Sequence, residues 1–259
     1  MPTAIAVAAH PDDIEFVMAG TLLQLREKGW DIHYLNIASG NCGSQANNSQ
    51  ETAEIRLAEA LEAARIMDAT WHAPFSNDLE IMYDVPHLRK LSAILHTVAP
   101  DIVLTHSPQD YMEDHMVTSR LAVTAAFTHS MPNFATDPPL PPPMKEVALY
   151  HAMPHGLHDQ LNNNIHPDLY IDITPHAETK HKALAAHRSQ HEWLQASQGL
   201  NAYLQTQVDQ DRKVGRMSGK FERAEAWRIH NPIGFHTKDT DPLSETLADV
   251  LVKNPNRRA

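Results

Sequence analysis

TAIAVAAHPDDIEF, residues Thr3 to Phe16, runs from an apolar stretch through an abrupt polar turn into a segment of helical pattern. The stretch from Thr3 to Ala9 contains only Ala, Val, Ile and Thr, with no regular alternation of polar and apolar positions. That is the composition of a strand covered on both faces, as in a parallel sheet flanked by helices. The turn places His10, Asp12 and Asp13 where a dinucleotide-binding chain would carry glycines. An imidazole and two carboxylates at a strand end suggest chemistry other than phosphate cradling.

The alternation continues outward from this stretch. IEFVMAGTLLQLREKGW carries apolar residues at Phe16, Val17, Leu22, Leu23 and Leu25 and ends at Gly29, and DIHYLNIA reads as a second strand. QETAEIRLAEALEAARIMD predicts a helix whose apolar face is Ile55, Ala58, Leu61 and Ile66. VPHLRKLSAILHTVAP predicts another, with Leu88, Leu91, Leu95 and Val98 inward and Pro100 as its stop. DIVLTH is the next strand, and MVTSRLAVTAAFTHS the helix after it. The pattern predicts an α/β fold with a Rossmann-like, mostly parallel sheet over about residues 1–130. Pro132, Pro138, Pro139, Pro141, Pro142 and Pro143 mark an inserted extended connector. A C-terminal part, about 144–236, adds the strands EVALYHAM and DLYIDIT, and Thr174 and Pro175 open further helices. The polar tail, 237–259, is expected to be peripheral, and the whole chain to form a single domain.

A length of 259 residues allows a substantial core, and a net charge of −11 argues against a nucleic-acid partner. A single cysteine, Cys42, excludes an internal disulfide framework and suits a reducing compartment. The start MPTAIAVAAH has neither a basic leader region nor an apolar run long enough for a membrane span, so a cytoplasmic enzyme is expected. With 18 histidines, one imidazole means little without its position.

Open parallel sheets bind ligands at the carboxyl ends of their strands. AHPDD ends the first strand, and THSPQDYMEDH follows DIVLTH roughly a hundred residues later. His10, Asp13 and His115 could surround a divalent ion with two imidazoles and a carboxylate, leaving positions for water and substrate. Asp12 would then point elsewhere, as a general base beside the ion. An aspartate there could equally cap a helix; the coincidence of two such segments favours the metal.

AHPDDIEF resembles the Ala-His-Pro-Asp-Asp-x-Glu signature of the PIG-L/LmbE-like family of zinc-dependent N-acetyl-sugar deacetylases. SGNCGSQANNSQETAEIRLAEALEAARIM resembles that family's glycine-containing loop and helix, with Arg56 and Glu59 at an Arg-x-x-Glu spacing. NDLE, DYMEDH, KALAAHRSQ and RAEAWRI are similar to later blocks and follow in the right order. The resemblance implies His10, Asp13 and His115 as zinc ligands, with Fe2+ as another candidate ion, and Asp12 as general base. It implies Arg56 and Asp78 as sugar-gripping groups, and Asp114 and Asp110 as carboxylates supporting the ligands. The implied partner is a small N-acetylated sugar or glycoconjugate, with a homo-oligomer left open.

Met112 departs from the pattern, standing where the family block carries a histidine thought to polarise the acyl carbonyl. A thioether donates no hydrogen bond. His187 is the first substitute, with Tyr111 and His106 behind it; Tyr111 and Met112 are also expected to contact substrate. His155, His158 and His166 form a loop cluster that could line a site, His33 and His72 are expected to bond within the fold, and Cys42 is not expected to be catalytic. Three other readings stay open: hydrolysis of a different amide, such as an amino-sugar thiol conjugate or antibiotic precursor; an iron oxygenase using the same three ligands; and a non-catalytic sugar- or nucleotide-binding protein.

Overall fold

Strand β1 (Thr3–Ala8) is buried along its entire length, with alternate residues serving opposite faces of one sheet. Ala4, Ala6 and Ala8 pack in one core with Leu22, Leu25, Tyr34 and Met67, while Ile5 and Val7 pack in the other with Leu91, Leu95, Val103 and Leu121. Apolar side chains on both faces explain why the sequence of this strand shows no alternation. The computed structural model describes residues 1–198, 203–236 and 240–255.

The sheet also contains β2 (Asp31–Asn36), β3 (Thr70–His72), β4 (Ile102–Thr105), β5 (Ala148–Ala152), β6 (Leu169–Asp172), β7 (Ala224–Ile229) and β8 (Leu251–Lys253). Their order is β3-β2-β1-β4-β5-β7-β6-β8. The first five strands are parallel and the last three join antiparallel. The chain turns from β1 towards β2 on one side and places β4 on the other, so the crevice at the β1 and β4 carboxyl ends is the sheet's switch point.

The helices are α1 (Asp13–Val17), α2 (Ala19–Glu27), α3 (Ser49–Met67), α4 (Val85–Val98), α5 (Glu113–Phe127), α6 (Ala177–Ala185), α7 (Arg188–Gln198), α8 (Tyr203–Ser218) and α9 (Pro242–Thr246). The first predicted helix is two, broken at Met18. Helix α4 turns the expected leucines inward and ends before Pro100. In α3 only Ile66 of the expected face packs against the core: Ile55, Ala58 and Leu61 are exposed, and Thr52, Arg56, Ala60, Ala63, Ala64 and Met67 are buried. Small alanines let this helix lie close to the sheet and let Arg56 reach inward, which an apolar count cannot register.

The tail is another correction. Leu243 and Leu247 are fully buried, and β8 pairs with β6, so short apolar spots within a polar stretch finish the sheet. Residues 237–239 and 256–259 of that tail lie outside the described residues. Lys180, fully buried, joins Asp211 and Glu225 at 2.8 Å each and ties α6, α8 and β7 together. Glu225 also accepts the amides of Gly20 and Thr21 at 2.8 Å each. A Cβ at Gly20 would lie 2.5 Å from Ile173 Cγ2, so only glycine allows this approach.

Candidate metal centre

The turn after β1 is closed by the Asp13 amide donating to the His10 carbonyl and by the His10 amide donating to Asp13 Oδ2, at 3.2 and 2.7 Å. Pro11 lies inside it, and Asp12 is forced to φ 105°, the left-handed region that a non-glycine residue enters only at a cost. This folds His10 and Asp13 towards one point. From the β4 side, α5 begins at Glu113 and presents Asp114 and His115 from its first turn. Ligand atoms of His10, Asp13 and His115 all lie within 4.8 Å of one another.

The outer nitrogens of both imidazoles are held. His10 Nε2 is 2.9 Å from Asp114 Oδ2, leaving Nδ1 towards Asp13 at 3.4 Å. His115 Nδ1 is 3.0 Å from Asp110 Oδ1, leaving Nε2 3.3 Å from Asp13 Oδ1. Carboxylates behind ligand imidazoles fix ring orientation and tautomer in metal sites. Asp114 also accepts the Leu79 amide at 2.7 Å, with Leu79 held at φ 64°.

The electrostatics show what charge the cluster favours. Burial works against charging His10, yet Asp114 and Asp13 lift it to about 9; Asp13 and Asp110 likewise lift His115 to about 10 against burial. Burial also opposes ionisation of Asp13, but His115 and His106 hold it well below the usual carboxylate range. The carboxylates draw positive charge into a buried space, a demand that a divalent cation meets without protons. The donor set of two nitrogens and one carboxylate suits zinc or iron.

A second group, His106, Asp110 and His115, has similar spacing. His106 Nε2, however, accepts the Ala9 amide at 3.0 Å, and burial keeps this imidazole less basic than usual. Its ring stacks on His115 at 4.1 Å. With that lone pair taken, His106 packs and orients, and it is neither a ligand through that nitrogen nor an exposed electrophile.

Asp12 stands beside the cluster. Its Oδ2 accepts the Tyr203 hydroxyl at 2.6 Å, and Oδ1 lies 3.7 Å from Arg56 Nη2. Burial lifts Asp12 above the ordinary carboxylate range, against the pull of Arg56. Arg56 is itself buried and donates to the Pro11 carbonyl and to Gln190. A Cβ on Gly43 would lie 2.5 Å from Arg56 Nη1, so the glycine loop sheathes the guanidinium. Asp78 spends its two oxygens on the Gly40 and Cys42 amides at 2.8 and 3.0 Å. Arg56 and Asp78, expected to grip a sugar, thus brace the loops around the site.

His187 is placed differently from the expectation that it polarises the acyl group. It is fully buried, with Nε2 3.4 Å from Glu15 Oε1. Burial opposes its charging, but Glu15 and Asp12 keep it more basic than a free imidazole. The imidazole that does reach the rim is His155, an exposed residue packed edge-on against Phe16 at 5.2 Å and against Tyr111 at 6.2 Å. Tyr111 in turn meets His115 at 5.5 Å and is 55% exposed. His158 bonds the Gly156 carbonyl at 2.7 Å and His166 is exposed; His33 and His72 bond each other at 2.8 Å. Tyr203 and Glu15 have no separate place in the sequence reading. Glu15 lies inside the quoted signature, but Tyr203 sits in an ordinary helical stretch with no motif around it.

The later sequence blocks lock onto the earlier ones. Ser189 gives its amide and hydroxyl to Glu59 at 2.9 and 2.6 Å, next to the Gln190–Arg56 contact. No helix among the described residues is long and apolar enough to cross a membrane.

Known proteins resemble this chain over most of its length. The diacetylchitobiose deacetylase of Thermococcus kodakarensis is 26% identical over 196 residues, 72% of this chain and 69% of that protein. The 4-oxalmesaconate hydratase of Pseudomonas putida is 25% identical over 227 residues, 84% of each. The solved structure of N,N'-diacetylchitobiose deacetylase from Pyrococcus horikoshii, complexed with its inhibitor, shares the fold with a TM-score of 0.75 at 24% identity, over 93% of this chain and 88% of that one. The family model described as PIG-L, GlcNAc-PI de-N-acetylase, matches residues 5–126, the stretch holding His10, Asp12, Asp13 and His115. Over that stretch the chain is similar to the PIG-L family.

Proposed function

We propose that this protein is a divalent-metal-dependent hydrolase that removes the acetyl group from an N-acetylated amino sugar. The observation that carries the reading is the convergence of His10, Asp13 and His115 with Asp12 adjacent but outside the ligand set. A zinc ion held by these three residues would supply Lewis acidity and lower the pKa of a water to about 7. Asp12 takes the proton of the attacking water and later passes it to the leaving amine, giving the free amino sugar and acetate. Asp114 and Asp110 hold the imidazoles in one orientation throughout. Met112 donates nothing, so His155, packed against the neighbouring Tyr111, is the group that donates to the developing oxyanion. Such donors act best when fixed before the reaction.

The hydratase relative and the missing donor at Met112 support a second reading, hydration of an anionic unsaturated acid. An anionic substrate calls for free cationic side chains at the site. Arg56, the cation beside Asp12, is buried and already donates to the Pro11 carbonyl and Gln190, while Asp12, Asp13, Asp110 and Asp114 give the site an acidic lining. A neutral sugar suits this acidic site better.

The test is acetate release from a panel of N-acetylated mono- and disaccharides by the zinc-loaded protein, with 4-oxalmesaconate hydration followed in parallel. Release that falls by about 10²–10⁴-fold in Asp12→Asn, with metal retained, is expected. Hydration without acetate release would replace the first reading by the second.

A further inference from the structure

Asp12 occupies the residue before α1, where an aspartate ordinarily bonds the first free amides of the helix. It makes no such bond. Its carboxylate instead accepts a hydrogen bond from a residue 191 positions away, Tyr203 at the start of α8. Among the described residues, this is the only hydrogen bond donated to the Asp12 carboxylate, since Arg56 Nη2 stands off at 3.7 Å.

We propose that Tyr203 is a positioning residue, whose hydroxyl pins Oδ2 of Asp12 so that Oδ1 is left to meet the attacking water. The inference rests on the reading of Asp12 as general base. An aspartate has two equivalent oxygens and a rotatable carboxyl group, so a base held at one oxygen presents the other in a fixed direction. The phenol is itself well fixed. Tyr203 is 4% exposed, its ring packs against Phe16 at 5.3 Å and His191 at 6.3 Å, and one turn further along α8 Gln207 donates to Asp211, which joins buried Lys180. The strained backbone at Asp12 adds to the need. At φ 105° that residue has left the geometry in which its side chain would cap the helix, and Tyr203 is the partner that replaces the cap. Tyr203 lies outside residues 5–126, so the second half of the chain completes a site whose reacting groups belong to the first.

The test uses Tyr203→Phe in the metal-loaded full chain, which keeps the ring and removes the hydroxyl. With an acetylated sugar that the wild type turns over, kcat falls by about 10- to 100-fold, the range that small misplacement of a reacting group produces. KM stays within about twofold, bound metal is unchanged, and the same substitution has less than about a twofold effect in the Asp12→Asn background. An unchanged kcat, or an equal loss in both backgrounds, overturns the proposal. A readout independent of turnover is the crystal structure of the two proteins. The Asp12 carboxylate keeps a single orientation in wild type and turns away in Tyr203→Phe; the same orientation in both overturns the proposal whatever the substrate. A turned carboxylate in a protein whose wild type releases no acetate leaves Tyr203 as the group that orients Asp12 and removes the deacetylase reading instead.

Discussion

Residues 10–115 supply His10, Asp12, Asp13 and His115 from the ends of two neighbouring strands, whereas residues 180–225 supply the groups that hold the surroundings in place. The first set converges within a few ångströms and sits in two short loops. The second is dispersed: Ser189 and Gln190 brace Glu59 and Arg56, and Lys180, Asp211 and Glu225 tie three elements to α2. Reacting groups need fixed spacing, so they come as motifs. Holding groups need only arrive, so they come from wherever the fold brings them. Changes in the first set should abolish chemistry, and changes in the second should weaken the fold or blur the geometry.

The largest effect is expected for His115→Ala. Metal analysis of the purified protein should fall from about one ion per chain to none, with loss of turnover. Metal retained at wild-type level would mean that the first set is not the ligand set. Next comes Lys180→Met in the second set, which strands two buried carboxylates. Removing one partner of a buried ionic group costs about 3–5 kcal/mol, so denaturant unfolding should show that loss with bound metal kept. Burial already lifts Asp211 to about 6 even beside Lys180. A stability change below about 1 kcal/mol would show that Asp211 simply takes a proton when the lysine is gone. Ser189→Ala removes the hydroxyl bond to Glu59 while the amide bond remains. It should cost about 1–2 kcal/mol, and wild-type stability would dissolve the division between the two sets at that contact.

The smallest effect belongs to neither set. Burial lowers His129 to about 4, with His96 and Lys145 adding to the shift. The unfolded chain then binds the proton more readily, so this contribution is complete above about pH 6.5 and is lost as pH falls towards 4. Melting temperatures across that window should decline less steeply in His129→Leu than in wild type. Equal slopes would assign the acid sensitivity to other depressed imidazoles, among them His72 and His151.

The same contrast explains how much the sequence reveals. The β1 and β4 loops are legible because a parallel strand and a His/Asp group spaced to hold a metal ion each carry a local signature. Helix α4 is legible because its leucines do the packing, and α3 is not, because alanines do it there and Arg56 points inward. Tyr203 is hidden for a stronger reason. Its partner is 191 residues away, and no local pattern marks a phenol that will meet a carboxylate. Arg56 and Asp78 are found as important positions, yet their partners, the Pro11 carbonyl and the Gly40 and Cys42 amides, become visible only when the loops close.

The two outer strands of the sheet, β3 and β8, are three residues each. A short border strand offers a few unpaired backbone groups, too few to template the addition of another chain edge to edge. The tail that contributes β8 therefore also blunts a border that β6 would otherwise leave open for pairing. Continuing the sheet therefore gives a second copy little to pair with, whereas Ile55 and Leu61 of α3 offer apolar side chains to solvent.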